Sequence, residues 1–175
     1  MLSYFDFFPD KRANECRTVT FISPDDDIGI PSGTYVFLES FCIDLNCDCQ
    51  RVLVKVLYIR DESSKPRDVA NIGYTWNDKK DKSLRNRTGI ESNPFLDPMN
   101  PQSRIATHLL IYWQAMVRHD GNYADRLERH YHELRRAYSS SKKDHPIDGD
   151  QRAPTPIDRK KRAKRLIAAM NHKTR

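Results

Sequence analysis

The stretch Arg51-Val52-Leu53-Val54-Lys55-Val56-Leu57-Tyr58-Ile59-Arg60 decides the fold class. Side chains alternate across a strand, so Val52, Val54, Val56 and Tyr58 share one face and Leu53 and Leu57 the other. β-branched and aromatic residues supply half of its length, which suits a pleated surface and not a helix. With apolar groups on both sides, the strand is expected to meet protein on both faces.

Working outward, Thr34 to Cys42 is a similar run through Tyr35, Val36, Phe37, Leu38 and Phe41. The turn-forming Pro31, Ser32 and Gly33 precede it. Thr18 to Ile22 is a shorter strand, closed by Ser23, Pro24 and the acidic trio Asp25, Asp26 and Asp27. Asp68 to Trp76 reads as a fourth, through Val69, Ile72, Tyr74 and Trp76. Short connections between the last three strands predict an antiparallel meander.

The period changes after the polar, proline-containing loop of residues 77–100. Asn100 and Pro101 have the form of an N-cap and first helical residue, and Ile105, Leu109, Trp113, Met116 and Val117 recur at helical spacing to about Arg118. Gly121 interrupts this pattern. A second helix is expected from near Asn122, capped by that residue, with Tyr123, Leu127, Tyr131, Leu134 and Tyr138 as its apolar stripe. The sequence thus predicts an α+β domain over residues 1–138: an antiparallel sheet of about four strands followed by a helical hairpin.

Residues 139–175 read differently. Ser139 to Pro156 has three serines, three prolines and almost nothing apolar, as in a flexible linker. From Lys142 onward there are eleven Lys and Arg against four Asp, +7, leaving 19 basic against 20 acidic residues, −1, for residues 1–141. Six cations in seven residues, Arg159, Lys160, Lys161, Arg162, Lys164 and Arg165, form a disordered basic tail suited to polyanions. Such a cluster binds RNA or DNA by releasing condensed counterions, with steep salt dependence and little sequence preference. In a eukaryotic cell it would also serve as a nuclear import signal.

The longest apolar runs fall far short of the roughly 20 residues that cross a bilayer. The first residues, Phe5, Phe7 and Phe8 broken by Asp6, lack the basic-then-apolar order of a secretion signal. An intracellular, cytoplasmic protein is expected, in which four cysteines stay reduced.

Three of those thiols, Cys42, Cys47 and Cys49, fall within eight residues at a turn between two strands. The intervening loop is long enough to fold Cys42 back on the other two, and three thiolates in one place suit zinc, which prefers four sulfur or nitrogen ligands. Cys16 is the natural fourth ligand, with His108, His119, His130 and His132 as alternatives. The competing reading is that buried cysteines fill space as small apolar residues. His130 and His132, two apart on a helix, point about 200° from each other and cannot share an ion.

Two weaker constellations admit hydrolysis. Asp25, Asp26 and Asp27, with Glu39 or Asp44, have the chemistry of a magnesium site, although an acidic turn is ordinary solvated loop. His119-Asp120, with His108 upstream, resembles the centre of HD-type phosphohydrolases, against an ordinary helix-end turn.

Tyr35 to Cys42, Cys47-Asp48-Cys49-Gln50-Arg51-Val52 and Tyr123 to Tyr131 together resemble uncharacterised bacterial proteins associated with the cysteine-rich SEC-C zinc motif. The likeness covers about residues 15–138. The SEC-C motif itself, with its Cys-Pro-Cys-Gly core, is absent. The resemblance implies a shared domain and a meaningful cysteine turn, with no activity to transfer. Three functions remain open: a non-enzymatic module with a structural zinc site and a tail for nucleic acid or ribonucleoprotein; a metal-dependent phosphodiester hydrolase; and a protein-binding adaptor.

Overall fold

A computed structural model describes residues 1–24, 29–77, 82 and 93–144. The acidic trio Asp25 to Asp27, most of the loop after Asn77, and the basic cluster Arg159 to Arg165 lie outside the described residues. Two units are distinguished along the chain, Met1–Ser141 and Lys142–Arg175, and the first holds every element discussed below except the end of the last helix.

In chain order the elements are β1 (Leu2–Ser3), α1 (Tyr4–Phe7), a 3-10 turn (Pro9–Lys11), α2 (Arg12–Glu15), β2 (Arg17–Phe21), β3 (Gly33–Phe41), β4 (Arg51–Ile59), β5 (Arg67–Thr75), β6 (Phe95–Leu96), α3 (Ala106–His119) and α4 (Gly121–Asp144). The class is α+β, as the sequence predicts, and β3, β4 and β5 form the expected antiparallel meander. Two short strands enlarge the sheet. β6 extends it beyond β5, and β1 joins β2 on the outer edge of β3.

β1 pairs with Ser40 and Phe41 at one end of β3, whereas β2 pairs from Phe37 back to Gly33. Residues 4–16 therefore leave the sheet edge and return to it lower down. Their excursion drives Tyr4 and Phe5 into the core, at 0% and 2% exposure. The N-terminal aromatic run, read from sequence only as a poor secretion signal, is a core element.

The strand pattern holds with one correction. Val52, Val54, Val56 and Tyr58 are buried beside Tyr35, Phe37 and Phe41 of β3 and packed with Leu109 and Trp113 of α3 and Leu127, Tyr131 and Leu134 of α4. The opposite row of β4, Leu53, Lys55 and Leu57, is only half-buried, so this strand has one fully covered face and not two. A bulge at Val56/Leu57 leaves Val69 of β5 as the extra residue. Gly33, at φ 136°, starts β3 where an added Cβ would stand 2.6 Å from the Tyr58 ring, a conformation and a closeness that only glycine tolerates.

The start of the first helix and the cap of the second differ from expectation. Pro101 and Gln102 do not open α3; they fasten β5. The Asn71 amide side chain donates to the Pro101 carbonyl at 2.9 Å, and Gln102 exchanges two 3.0 Å hydrogen bonds with the Asn71 backbone. α3 begins only at Ala106. In α4 the capping group is Asp120, whose Oδ1 accepts from the Tyr123 amide at 3.1 Å, and not Asn122. One residue thus separates the helices of the hairpin, and Trp113 Nε1 donates to Tyr123 Oη across the junction at 3.2 Å. Residues 139–144, expected to begin the linker, continue α4.

Candidate metal centre

The cysteine turn starts where β3 ends. Beyond Phe41, Asp44 closes the loop on itself: its carbonyl accepts from the Cys47 amide at 3.0 Å and its carboxylate from the Asn46 amide at 3.0 Å. The chain then passes through Gln50 at φ 46°, a left-handed conformation uncommon outside glycine. Gln50 is held there from three directions. Its carbonyl accepts from Thr75 Oγ1 at 2.8 Å, its side-chain oxygen from Asn77 at 2.7 Å, and its side-chain nitrogen donates to Asp48 at 3.0 Å. A sparsely populated backbone fixed by so many partners marks a loop whose shape matters.

Its effect is to bring Cys42, Cys47 and Cys49 together, with all three Sγ atoms within 4.8 Å of one another. Sulfurs at about 2.3 Å from a tetrahedral zinc lie roughly 3.8 Å apart, so small rotations of these thiols would complete three metal bonds. All four cysteines carry free thiols. Burial, then hydrogen bonding and charge from Cys47 and Cys42, push the Cys49 thiol up to about 11. Without a metal, the Cys49 thiol holds its proton at neutral pH.

Arg135 of α4 clamps the turn. Its guanidinium donates to the carbonyls of Cys47 at 2.7 Å, Asp44 at 3.0 Å and Leu45 at 3.2 Å, and lies 5.1 Å from the centre of the Tyr131 ring. The planar fork of arginine suits several carbonyls at once. Sequence reading did not single out Arg135, because nothing local connects position 135 to position 47.

Cys16, the expected fourth ligand, stands elsewhere. Its thiol donates to the Phe37 carbonyl at 3.7 Å, and the next residue, Arg17, pairs with Phe37 in the sheet. Phe37 and Cys42 are five strand positions apart, about 16 Å at the usual rise, so β2 carries Cys16 past the turn. Burial pushes this thiol up to about 11. Nor do the alternatives reach: among the described residues no fourth His, Cys, Asp or Glu joins the three cysteines. His108 packs beside Gly29, His119 ends α3, and His132 faces Glu128 at 3.7 Å.

His130 belongs to a second constellation that sequence reading missed. Nδ1 lies 2.6 Å from Glu39 Oε2 and Nε2 lies 2.6 Å from Glu15 Oε2, with His130 and Glu39 both fully buried. Tyr4 stacks on the imidazole at 3.8 Å and donates to Glu133 Oε2 at 2.6 Å, and Lys11 pairs with the other oxygen of Glu133. Arg129 bonds Glu15 at 2.7 Å. Glu39 sits on the covered face of β3 among Tyr35, Phe37 and Phe41, where an unpaired carboxylate would cost several kcal/mol, on the order given for buried ions. His130 meets that need from α4, and the network fastens the N-terminal excursion to the body. The available signal was an acidic residue at an inward position of a strand.

Of the His119-Asp120 pair, Asp120 has structural contacts. Asp120 caps α4 and bonds Arg17, whose guanidinium, together with that of Arg126, lies over the Tyr123 ring. The Arg17 contact, foremost, holds the Asp120 carboxyl below its ordinary range. Among the described residues no helix is long and apolar enough to cross a membrane. Comparison with models of protein families, with curated proteins and with solved structures finds no match to this chain.

Proposed function

We propose that this protein is a non-enzymatic interaction module whose cysteine turn holds a soft metal ion, zinc foremost, and whose basic segment engages nucleic acid or a ribonucleoprotein. The observation that supports it is the convergence of the Cys42, Cys47 and Cys49 sulfurs within 4.8 Å, on a loop held by Gln50 and Arg135. An ion there would tie the end of β3 to the start of β4, next to α4. Thiolates select soft ions over magnesium or calcium, and zinc is the redox-inert member of that group. The reading also agrees with the resemblance to proteins associated with a cysteine-rich zinc motif, which stays part of the proposal.

The nucleic-acid half rests on charge. A net +7 after Ser141, concentrated in Arg159 to Arg165, beside −1 for residues 1–141, supports polyanion binding through the tail. Filter binding of RNA and DNA by the full chain and by a chain ending at Ser141, across a salt series, tests this. The full chain should bind more weakly as salt rises, and the shortened chain should bind poorly at all concentrations. Equal, salt-insensitive binding by both removes the tail's role. Metal content by mass spectrometry, with and without Cys47→Ser, tests the other half.

A further inference from the structure

Resting on the metal reading, we infer that the centre is an open three-thiolate site, whose fourth coordination position is filled by a neutral, exchangeable donor from solution. Three features lead to this. First, among the described residues no fourth His, Cys, Asp or Glu stands with the three thiols, and two of the candidate ligands are committed elsewhere. Cys16 is bonded at Phe37, and both nitrogens of His130 face carboxylates.

Second, Cys42, Cys47 and Cys49 are each only half-buried, so an ion among them would keep a side towards solvent. Zinc sites with three protein ligands hold water in the remaining position, in contrast to closed structural sites with four. Third, charge opposes another anion. Three thiolates around a divalent ion leave −1, which the Arg135 guanidinium on the Cys47 carbonyl offsets. A fourth thiolate would add uncompensated charge beside Asp44 and Asp48 of the same turn. The preferred occupant is therefore water, replaceable by an imidazole.

The test is cobalt(II) substitution of the full chain under anaerobic conditions, followed by visible and near-ultraviolet absorption during titration with imidazole. The expected result is sulfur-to-cobalt charge transfer, lost in Cys47→Ser, with ligand-field bands that change as imidazole is added. Charge transfer with bands indifferent to excess imidazole, and a fourth protein nitrogen or sulfur in X-ray absorption, would overturn the open site while leaving the metal centre standing. Absence of charge transfer in the unaltered chain would remove the metal centre itself, and the open position with it.

Discussion

Replacing Arg135 by methionine keeps an unbranched apolar side chain but removes the guanidinium that lies over the Tyr131 ring and donates to the cysteine turn. Three carbonyl contacts are lost, those to Cys47, Asp44 and Leu45. At about 1 kcal/mol net for each hydrogen bond the sum is about 3 kcal/mol, and partial exposure of Arg135 reduces it to about 2. At about 1.4 kcal/mol per tenfold, that predicts zinc affinity lower by roughly 30-fold, within the range of about 10- to 100-fold for groups that orient metal ligands. Competition against a chromophoric chelator measures it directly. Arg135→Lys separates charge from geometry: an ammonium retains the positive charge but cannot span three carbonyls, so it should recover only part of the loss. Wild-type affinity in the methionine variant would refute the clamp, showing that Gln50 and Asp44 order the loop unaided. Full recovery in the lysine variant would reduce Arg135 to a point charge.

Other outcomes follow from the same geometry. Because burial and its thiol neighbours push Cys49 up to about 11, metal must displace protons, and affinity should rise with pH by up to about tenfold per unit for each proton released, read by chelator competition at pH 6, 7 and 8. His130→Leu leaves Glu39 buried without its partner and should destabilise the fold by about 3–5 kcal/mol in urea denaturation, whereas the double variant with Glu39→Leu should recover a large part of that loss. For Glu15, burial raises the carboxyl but the bond and charge of His130, with Arg129 and Lys11, outweigh it; for Glu133, Lys11 and Tyr4 outweigh burial in the same way. Both end below the ordinary value of 4.5, so their stabilisation is full above that pH and is lost as pH falls through the lowered folded values, visible as a declining melting temperature in acid that is shallower in Glu133→Gln.

Local pattern carried the architecture. Alternation in residues 51–60 named the covered face as Val52, Val54, Val56 and Tyr58, and helical spacing named Leu109, Trp113, Leu127, Tyr131 and Leu134 as core. These are periodicities of two and 3.6 residues, readable wherever one side of an element is buried. The three converging thiols were legible for the same reason: they share one turn, and eight residues of chain allow few ways to separate them. Contacts across long sequence separation left no such trace. Arg135 and Cys47 are 88 positions apart, and His130 and Glu39 are 91 apart. Whether Cys16 meets the turn depended on β2 pairing beside Phe37, and whether the N-terminal phenylalanines are core depended on β1 and β2 sharing one strand edge. Sequence alone determined which residues wish to leave water and which three sulfurs lie close along the chain. Tertiary structure decided which charges they meet, because a buried carboxylate or a loop carbonyl takes its partner from whichever helix packing brings within about 3 Å.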